Sequence, residues 1–375
     1  VRIAICTLTA APDDVSVWSG TPAHLVDALR SIHDDVVTIG PLLPWAFTLL
    51  NRLSRATRRY GRKVNWEVEP AALRLFTLRL NKEIRQSRPD VVILMGWFPR
   101  GATSVPIVYW GDATIGQRLN AAPHWTRLSK RTSTAAPRVE SESLRPLART
   151  MWASRWAQDD AITRYGLTNT ELVPFGSNIA DPRSTPRRLR DGGPFMLLAV
   201  GVQWHRKGID RAVEAAAELV ARGIPVHLHV VGVLPPDESW QRSYVTYHGF
   251  LSKSVDAEAR ALDGLYRAAD VFVLPTRLEP FGIVFQEAAA YALPVVTARV
   301  GGVPEIVDNG VTGITLRDGA TAPEYADAVA RLVNDPALYA AMSAKARRRY
   351  EESFTWTTVA ERVVRIASDV VGQAR

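Results

Sequence analysis

The stretch Arg277-Leu-Glu-Pro-Phe-Gly-Ile-Val-Phe-Gln-Glu287 sets the frame for reading the whole chain. Ahead of it, Asp270-Val-Phe-Val-Leu-Pro275 is an apolar run that reads as a buried strand, and Phe285–Leu293 is rich in helix formers. Pro280 and Pro294 stand where prolines cost a helix least, at its start and just past its end. Glu279 and Glu287 bracket the helix start with seven residues between them. Phe281, Gly282 and Ile283 then offer backbone N–H groups that have no intrahelical acceptor, a ready place for a phosphate. The stretch reads as a nucleotide or sugar-phosphate site.

Working outward, strand-like and helix-like segments alternate. Phe195–Val200, a helix over 209–222, Val226–Val231, Val245–Phe250, a helix over 256–268, Val271–Leu274, a helix over 283–292, Pro294–Thr297 and Gly313–Leu316 follow one another. Ile209, Val213, Ala216 and Val220 keep helical spacing. Helices over 323–334 and 336–350 and a tail helix, Trp356–Val371, complete this half. The first half shows the same alternation through Val1–Leu8, Val36–Ile39, Val91–Met95, Val105–Trp110, Met151–Ala153 and Glu171–Pro174. Such alternation predicts βαβ units and parallel sheets covered on both faces. Between the halves, Asn178–Pro194 holds three prolines, two glycines and several arginines and reads as a linker. The expected architecture is α/β with two doubly wound domains: 1–179 plus 356–375, then 192–355, joined by 180–191. Ligands of such sheets bind at the carboxyl ends of the strands, so a cleft between the halves is the expected site.

The 375 residues give ample length for large cores, and 47% hydrophobic and 22% charged residues are ordinary for a globular protein. One cysteine, Cys6, lies in the first strand-like run, so no internal disulfide can form; a buried, inert thiol in a reducing cytoplasm is expected. The opening Val1–Leu8 is too short for a signal peptide, and no apolar run has membrane-spanning length. The net charge of +8 suits an acidic partner without choosing one. In Pro41–Leu50 and the arginines that follow, up to Arg62 and Lys63, a basic amphipathic stretch (41–63) can touch an anionic membrane surface. A solvated helix face is the plainer reading. No nucleic-acid partner is expected.

A second element supports the phosphate reading. In Val200-Gly-Val-Gln-Trp-His-Arg-Lys-Gly-Ile-Asp210, Arg206 and Lys207 fall at a strand-to-helix loop, where a forked guanidinium and a point-charge ammonium can neutralise a diphosphate. Alone this is weak; with the helix start at Phe281–Gly282, also after a strand, both elements converge on one crevice. No Asp-x-Asp occurs, and among seven histidines only His227-x-His229 is suggestively spaced, along a strand where a structural role is expected, so no metal site is predicted. Neither half opens with Gly-x-Gly-x-x-Gly, which argues against a dehydrogenase.

Gly201–Gly208, the Gly249–Leu251 turn, Asp270–Glu287 and Val300-Gly-Gly-Val-Pro-Glu-Ile-Val307 together resemble the retaining glycosyltransferases of family 4, which have the GT-B fold. Asp112-Ala-Thr114, Ala153-Ser-Arg-Trp-Ala157 and Val173-Pro-Phe-Gly-Ser-Asn178 resemble a bacterial branch of that family. The likeness is strong over about 151–310 and thinner over the first 100 residues. It implies a tail helix that crosses back onto the N-terminal domain. It implies transfer from a UDP- or GDP-sugar to an acceptor hydroxyl, with no protein nucleophile and no divalent ion. In that scheme Arg206 and Lys207 hold the leaving diphosphate, while Phe281, Gly282 and Ile283 add N–H donors. Glu279 contacts the transferred sugar, Glu287 the ribose, Leu251 adds a donor contact, and Gly20 approaches the phosphates or the acceptor. Eight helical steps would set the two carboxylates roughly 12 Å apart, a span for one donor molecule. A glycosidase pair stands about 5–9.5 Å apart and needs no phosphate site. Many members carry a His-Asp pair after the strand corresponding to Ile107–Trp110; here Gly111-Asp112 stands instead. Asp112 then either orients acceptor or sugar, or caps a helix starting near Thr114. A sugar-phosphate or sucrose-type synthase on the same fold and a catalytically silent nucleotide-binding module are the rival readings.

Overall fold

The computed structural model describes residues 1–15, 17–42, 68–121, 130–189 and 192–374. Most of the basic stretch expected to face a membrane, 43–63, lies outside them. The chain divides into two compact units, Val1–Gly176 with Trp356–Arg375, and Ser177–Thr355.

In the first unit, β1 (Ile3–Cys6), β2 (Val36–Ile39), β3 (Val91–Met95), β4 (Ile107–Gly111), β5 (Arg149–Trp152) and β6 (Thr170–Leu172) form a sheet in the order β2-β1-β3-β4-β5-β6. Every pairing is parallel. Every residue of β1, β3 and β4 is buried, as a parallel sheet covered on both faces requires of its central strands. Helices α1 (Thr21–Ile32), α2 (Pro70–Ser87), α3 (Ile115–Ala121), α4 (Lys130–Leu144) and α5 (Arg155–Tyr165) belong to this unit. So does the tail helix, Trp356–Ala374, which lies against α1. Its Val359, Val363, Ala367 and Val370 form one apolar stripe, each at most 2% exposed. At its start Trp356 stacks on His24 at 6.5 Å and meets Trp110 edge-on at 6.4 Å. The return of the tail to the first unit is therefore fixed by a continuous hydrophobic seam. Cys6 is fully buried, which pushes its thiol far above the ordinary range and keeps it inert.

The second unit repeats the plan with β7 (Phe195–Val200), β8 (Val226–Val231), β9 (Val245–Tyr247), β10 (Val271–Leu274), β11 (Val295–Ala298) and β12 (Gly313–Leu316), in the order β12-β11-β10-β7-β8-β9, all parallel. Its helices are α6 (Trp204–Lys207, one turn), α7 (Ile209–Ala221), α8 (Asp256–Ala268), α9 (Ile283–Ala290), α10 (Ala322–Asn334) and α11 (Pro336–Ser353); the tail helix is α12. Along α7 the buried face runs through Ile209, Val213 and Ala216, but continues to Leu219, while Val220 is 38% exposed.

The arginine-rich segment read as a linker is not a free strap. Arg187 donates to the carbonyls of Tyr266 (3.0 Å), Arg267 (2.9 Å), Ala269 (2.6 Å) and Tyr291 (2.8 Å). These lie at the carboxyl ends of α8 and α9, where helix carbonyls lack intrahelical partners. Asp181 pairs with Arg347 at 2.8 and 3.1 Å. Arginines that look solvated in one dimension serve as caps in three. The boundary of compact units falls at Gly176/Ser177.

Candidate active site

Two loops at the carboxyl ends of adjacent strands β7 and β10 build the centre of the site in the second unit. Past β7, α6 presents Arg206 and Lys207 on a single helical turn, where the sequence suggests a loop. Gly208 ends this turn with φ 70°, and a Cβ there would lie 1.9 Å from the Pro275 carbonyl oxygen. Only glycine lets the two loops close so tightly. The backbone N–H of Arg277 and the Thr276 hydroxyl both donate to the Arg206 carbonyl, at 2.8 and 3.1 Å. Arg206 Nη1 returns a bond to the Leu278 carbonyl at 3.0 Å, and Lys207 Nζ donates to Glu279 Oε2. Lys207 and Glu279 are 9% and 6% exposed. Arg206 Nη2 has no partner among the described residues.

Helix α9 begins at Ile283, with Gly282 before it at φ 102°. The N–H groups of Gly282 and Ile283 have no acceptor among the described residues, and Phe281 is 3% exposed. Because Glu279 precedes this helix, only the steps from Ile283 to Glu287 are helical. The roughly 12 Å carboxylate spacing derived from a continuous helix therefore does not carry over. Glu287 is 3% exposed; Oε1 accepts from Lys253 Nζ and Oε2 from the Tyr266 hydroxyl at 3.0 Å. Burial and the adjacent Glu287 carboxylate push the Tyr266 phenol well above its ordinary range, so it acts as a donor. Lys253 also donates to the Asn178 carbonyl at 3.3 Å. It follows Leu251 in the loop after β9. Three cations thus face two carboxylates around an amide-lined helix start, leaving a positive surplus suited to a dianion.

Gly20 and Asp112 belong to the first unit. Gly20 is the residue before α1, at φ 88°. Asp112 accepts from Arg118 at 2.8 Å, its side chain 28% exposed. It does not cap α3. Thr114 does so, through a reciprocal pair in which the Gln117 N–H donates to Thr114 Oγ1 (3.1 Å) and the Thr114 N–H donates to Gln117 Oε1 (3.0 Å). Thr114 stands nearer the helix start, so Asp112 turns to the guanidinium instead. Trp204 packs edge-on against Trp240 at 5.2 Å. His227 Nε2 lies 2.8 Å from Thr246 Oγ1 and His229 Nδ1 lies 2.9 Å from His248 Nε2. Among the described residues no group of three or more His, Cys, Asp or Glu could hold a metal ion, and no helix is long and apolar enough to cross a membrane.

Sequence reasoning missed Lys253 and Tyr266. Lys253 is an isolated lysine in Leu251-Ser-Lys-Ser254. Its only signal is its place just past a strand whose end lies in the same row as those of β7 and β10.

Two Rossmann-like parallel sheets, each of six strands among the described residues, give the chain the GT-B fold, with a cationic turn and an open helix start at the strand ends of one sheet. Residues 182–349, most of the second unit, match the family model described as glycosyl transferases group 1. The glycogen synthase of Mycobacterium tuberculosis is 29% identical over 366 residues, spanning 94% of this chain and 86% of that protein. Sucrose-phosphate synthase from Thermosynechococcus elongatus superposes with a TM-score of 0.70 at 19% identity, over 99% of this chain and 100% of that one. Anabaena HepE, solved in complex with UDP, gives 0.66 at 17% identity, over 98% and 100%.

Proposed function

We propose that the chain transfers a sugar from a nucleoside-diphosphate sugar, a UDP- or GDP-sugar, to an acceptor hydroxyl with retention of configuration and without a metal ion. The observation that carries this reading is the convergence of Arg206, Lys207 and Glu279 on one loop pair beside the N–H groups of Gly282 and Ile283. Arg206 and Lys207 neutralise the charge that grows on the departing diphosphate, and the amides add donors already aimed before reaction. Lys207 exchanges part of its bond to Glu279 for phosphate oxygen, which frees Glu279 to accept from hydroxyls of the transferred sugar. Glu287, kept in place by Lys253 and Tyr266, accepts from the ribose. The leaving diphosphate's own oxygen takes the acceptor's proton, so no protein nucleophile is required. Leu251, in the loop after β9, completes the donor contacts of the second unit. The UDP held by the HepE neighbour supports the nucleotide class.

A thermal-shift series with UDP, GDP, their sugars and NAD tests the reading on the wild-type chain and on the double variant Arg206→Ala/Lys207→Ala. One diphosphate series should raise Tm in the wild type and lose its effect in the variant. Stabilisation by NAD in preference to either diphosphate would sink the reading. Glycogen and free sugar phosphates are then the first acceptors to offer with the matched donor.

A further inference from the structure

The turn carrying Arg206 and Lys207 is four residues long and closes on itself with few bonds, Lys207 N–H to the Gln203 carbonyl at 2.9 Å and Gly208 N–H to the His205 carbonyl at 3.2 Å. A helix this short does not stand alone. From outside, the Thr276 hydroxyl holds the Arg206 carbonyl at 3.1 Å, and Arg277 supplies further anchorage. The guanidinium forks onto Asp210, Nη1 to Oδ1 at 2.8 Å and Nη2 to Oδ2 at 2.7 Å, and Nη1 also donates to the His205 carbonyl. With the Arg277 N–H on the Arg206 carbonyl, one residue grips two successive carbonyls of the turn. Asp210 stands in the first turn of α7, its side chain 12% exposed. Burial alone would raise its carboxyl, but the bonds and charge of Arg277 outweigh that and hold it below its ordinary range. The two arginines of these facing loops therefore differ. Arg206 keeps one guanidinium nitrogen without a partner among the described residues, whereas both terminal nitrogens of Arg277 are spent.

We propose that Arg277 and Asp210 are positioning residues that hold the cationic turn in register for the donor's distal phosphate without touching it. The inference rests on the donor reading above. It makes an uncommon demand of Asp210. If only charge mattered, removing this anion would tighten a diphosphate; if the ion pair sets geometry, removing it loosens the diphosphate.

The test is calorimetric titration of the full chain and of Asp210→Asn, Arg277→Met and Arg277→Lys with the nucleoside diphosphate that the wild type binds, and with its monophosphate. In Asp210→Asn and Arg277→Met the factor by which the diphosphate outbinds the monophosphate should fall roughly ten- to a hundredfold, as expected when a charge is misplaced by about 1 Å. Arg277→Lys, which keeps the charge but not the fork, should lose nearly as much. Diphosphate binding by Asp210→Asn as tight as the wild type, or tighter, overturns the inference, and so does equal loss of both ligands. If Arg277→Met fails to fold, Asp210→Asn and Arg277→Lys decide alone. A wild-type chain that binds no nucleoside diphosphate removes the donor reading itself, and the inference with it.

Discussion

Glu279 and Glu287 in the second unit and Glu140 in the first are all buried carboxyl groups, 6%, 3% and 1% exposed. Their partners are of different kinds. Each of the two in the second unit receives a lysine Nζ. Glu140, on α4, receives the Tyr165 hydroxyl at 2.5 Å and the Ile115 N–H at 2.7 Å, and no lysine or arginine among the described residues bonds to it. Burial, only partly offset by those two bonds and by nearby Arg118, pushes the Glu140 carboxyl up to about 7. A buried carboxyl must find a cation or take up a proton. Beside the open start of α9, the partner is a flexible single-point ammonium. Where α3 must only be held to α4 and α5, a hydroxyl and a backbone amide suffice.

The largest effect expected from breaking this contrast is at Lys207. Lys207→Met should lower the initial rate of sugar transfer by about 10²–10³, or roughly 3–4 kcal/mol, the cost of losing one preorganised charge. A rate above a tenth of wild type would mean that the ammonium is structural, like the partners of Glu140.

Next comes Glu140→Gln. Because the folded carboxyl is raised from 4.5 to about 7, the native state holds a proton that the unfolded state releases. Its contribution to stability is complete below about pH 4.5 and is lost as pH rises toward 7. The glutamine variant lacks this slope. Relative to wild type it should gain on the order of 3 kcal/mol between pH 4.5 and pH 8, a ceiling set by the size of the shift. Urea denaturation at several pH values measures it, and parallel curves for the two proteins would show that Glu140 is charged when folded.

The smallest effect belongs to Arg118→Met. The Asp112–Arg118 pair is about a quarter exposed on both sides, so its loss should cost about 0.5–1 kcal/mol in chemical denaturation. A much larger loss would place this pair among the buried carboxylates and not at the solvent edge.

How legible these features were depended on how far along the chain their cause extends. β3 could be read from Val91–Met95 and the tail helix from Trp356–Val371, because continuous burial and helical periodicity are sums over neighbouring residues. The parts of the candidate site were legible for a related reason. Prolines, glycines and paired charges at strand-to-helix turns mark Arg206, Lys207, Glu279, Gly282 and Glu287. Their pairing was not. Lys207 meets Glu279 across 72 residues and Lys253 meets Glu287 across 34.

The sequence by itself determined the alternating α/β plan, the tail helix and the inventory of cations, carboxylates and open amides, all carried by local pattern. Only the tertiary structure decided which charge faces which. It made Arg187 and Arg347 anchors of the supposed linker, put Thr114 instead of Asp112 at the start of α3, and spent Arg277 on Asp210 while leaving part of Arg206 open. The physical reason is that a side-chain pair depends on the order of strands in a sheet, which brings the ends of β7 and β10 side by side. That order follows from the packing of all the segments together and is written in none of them singly.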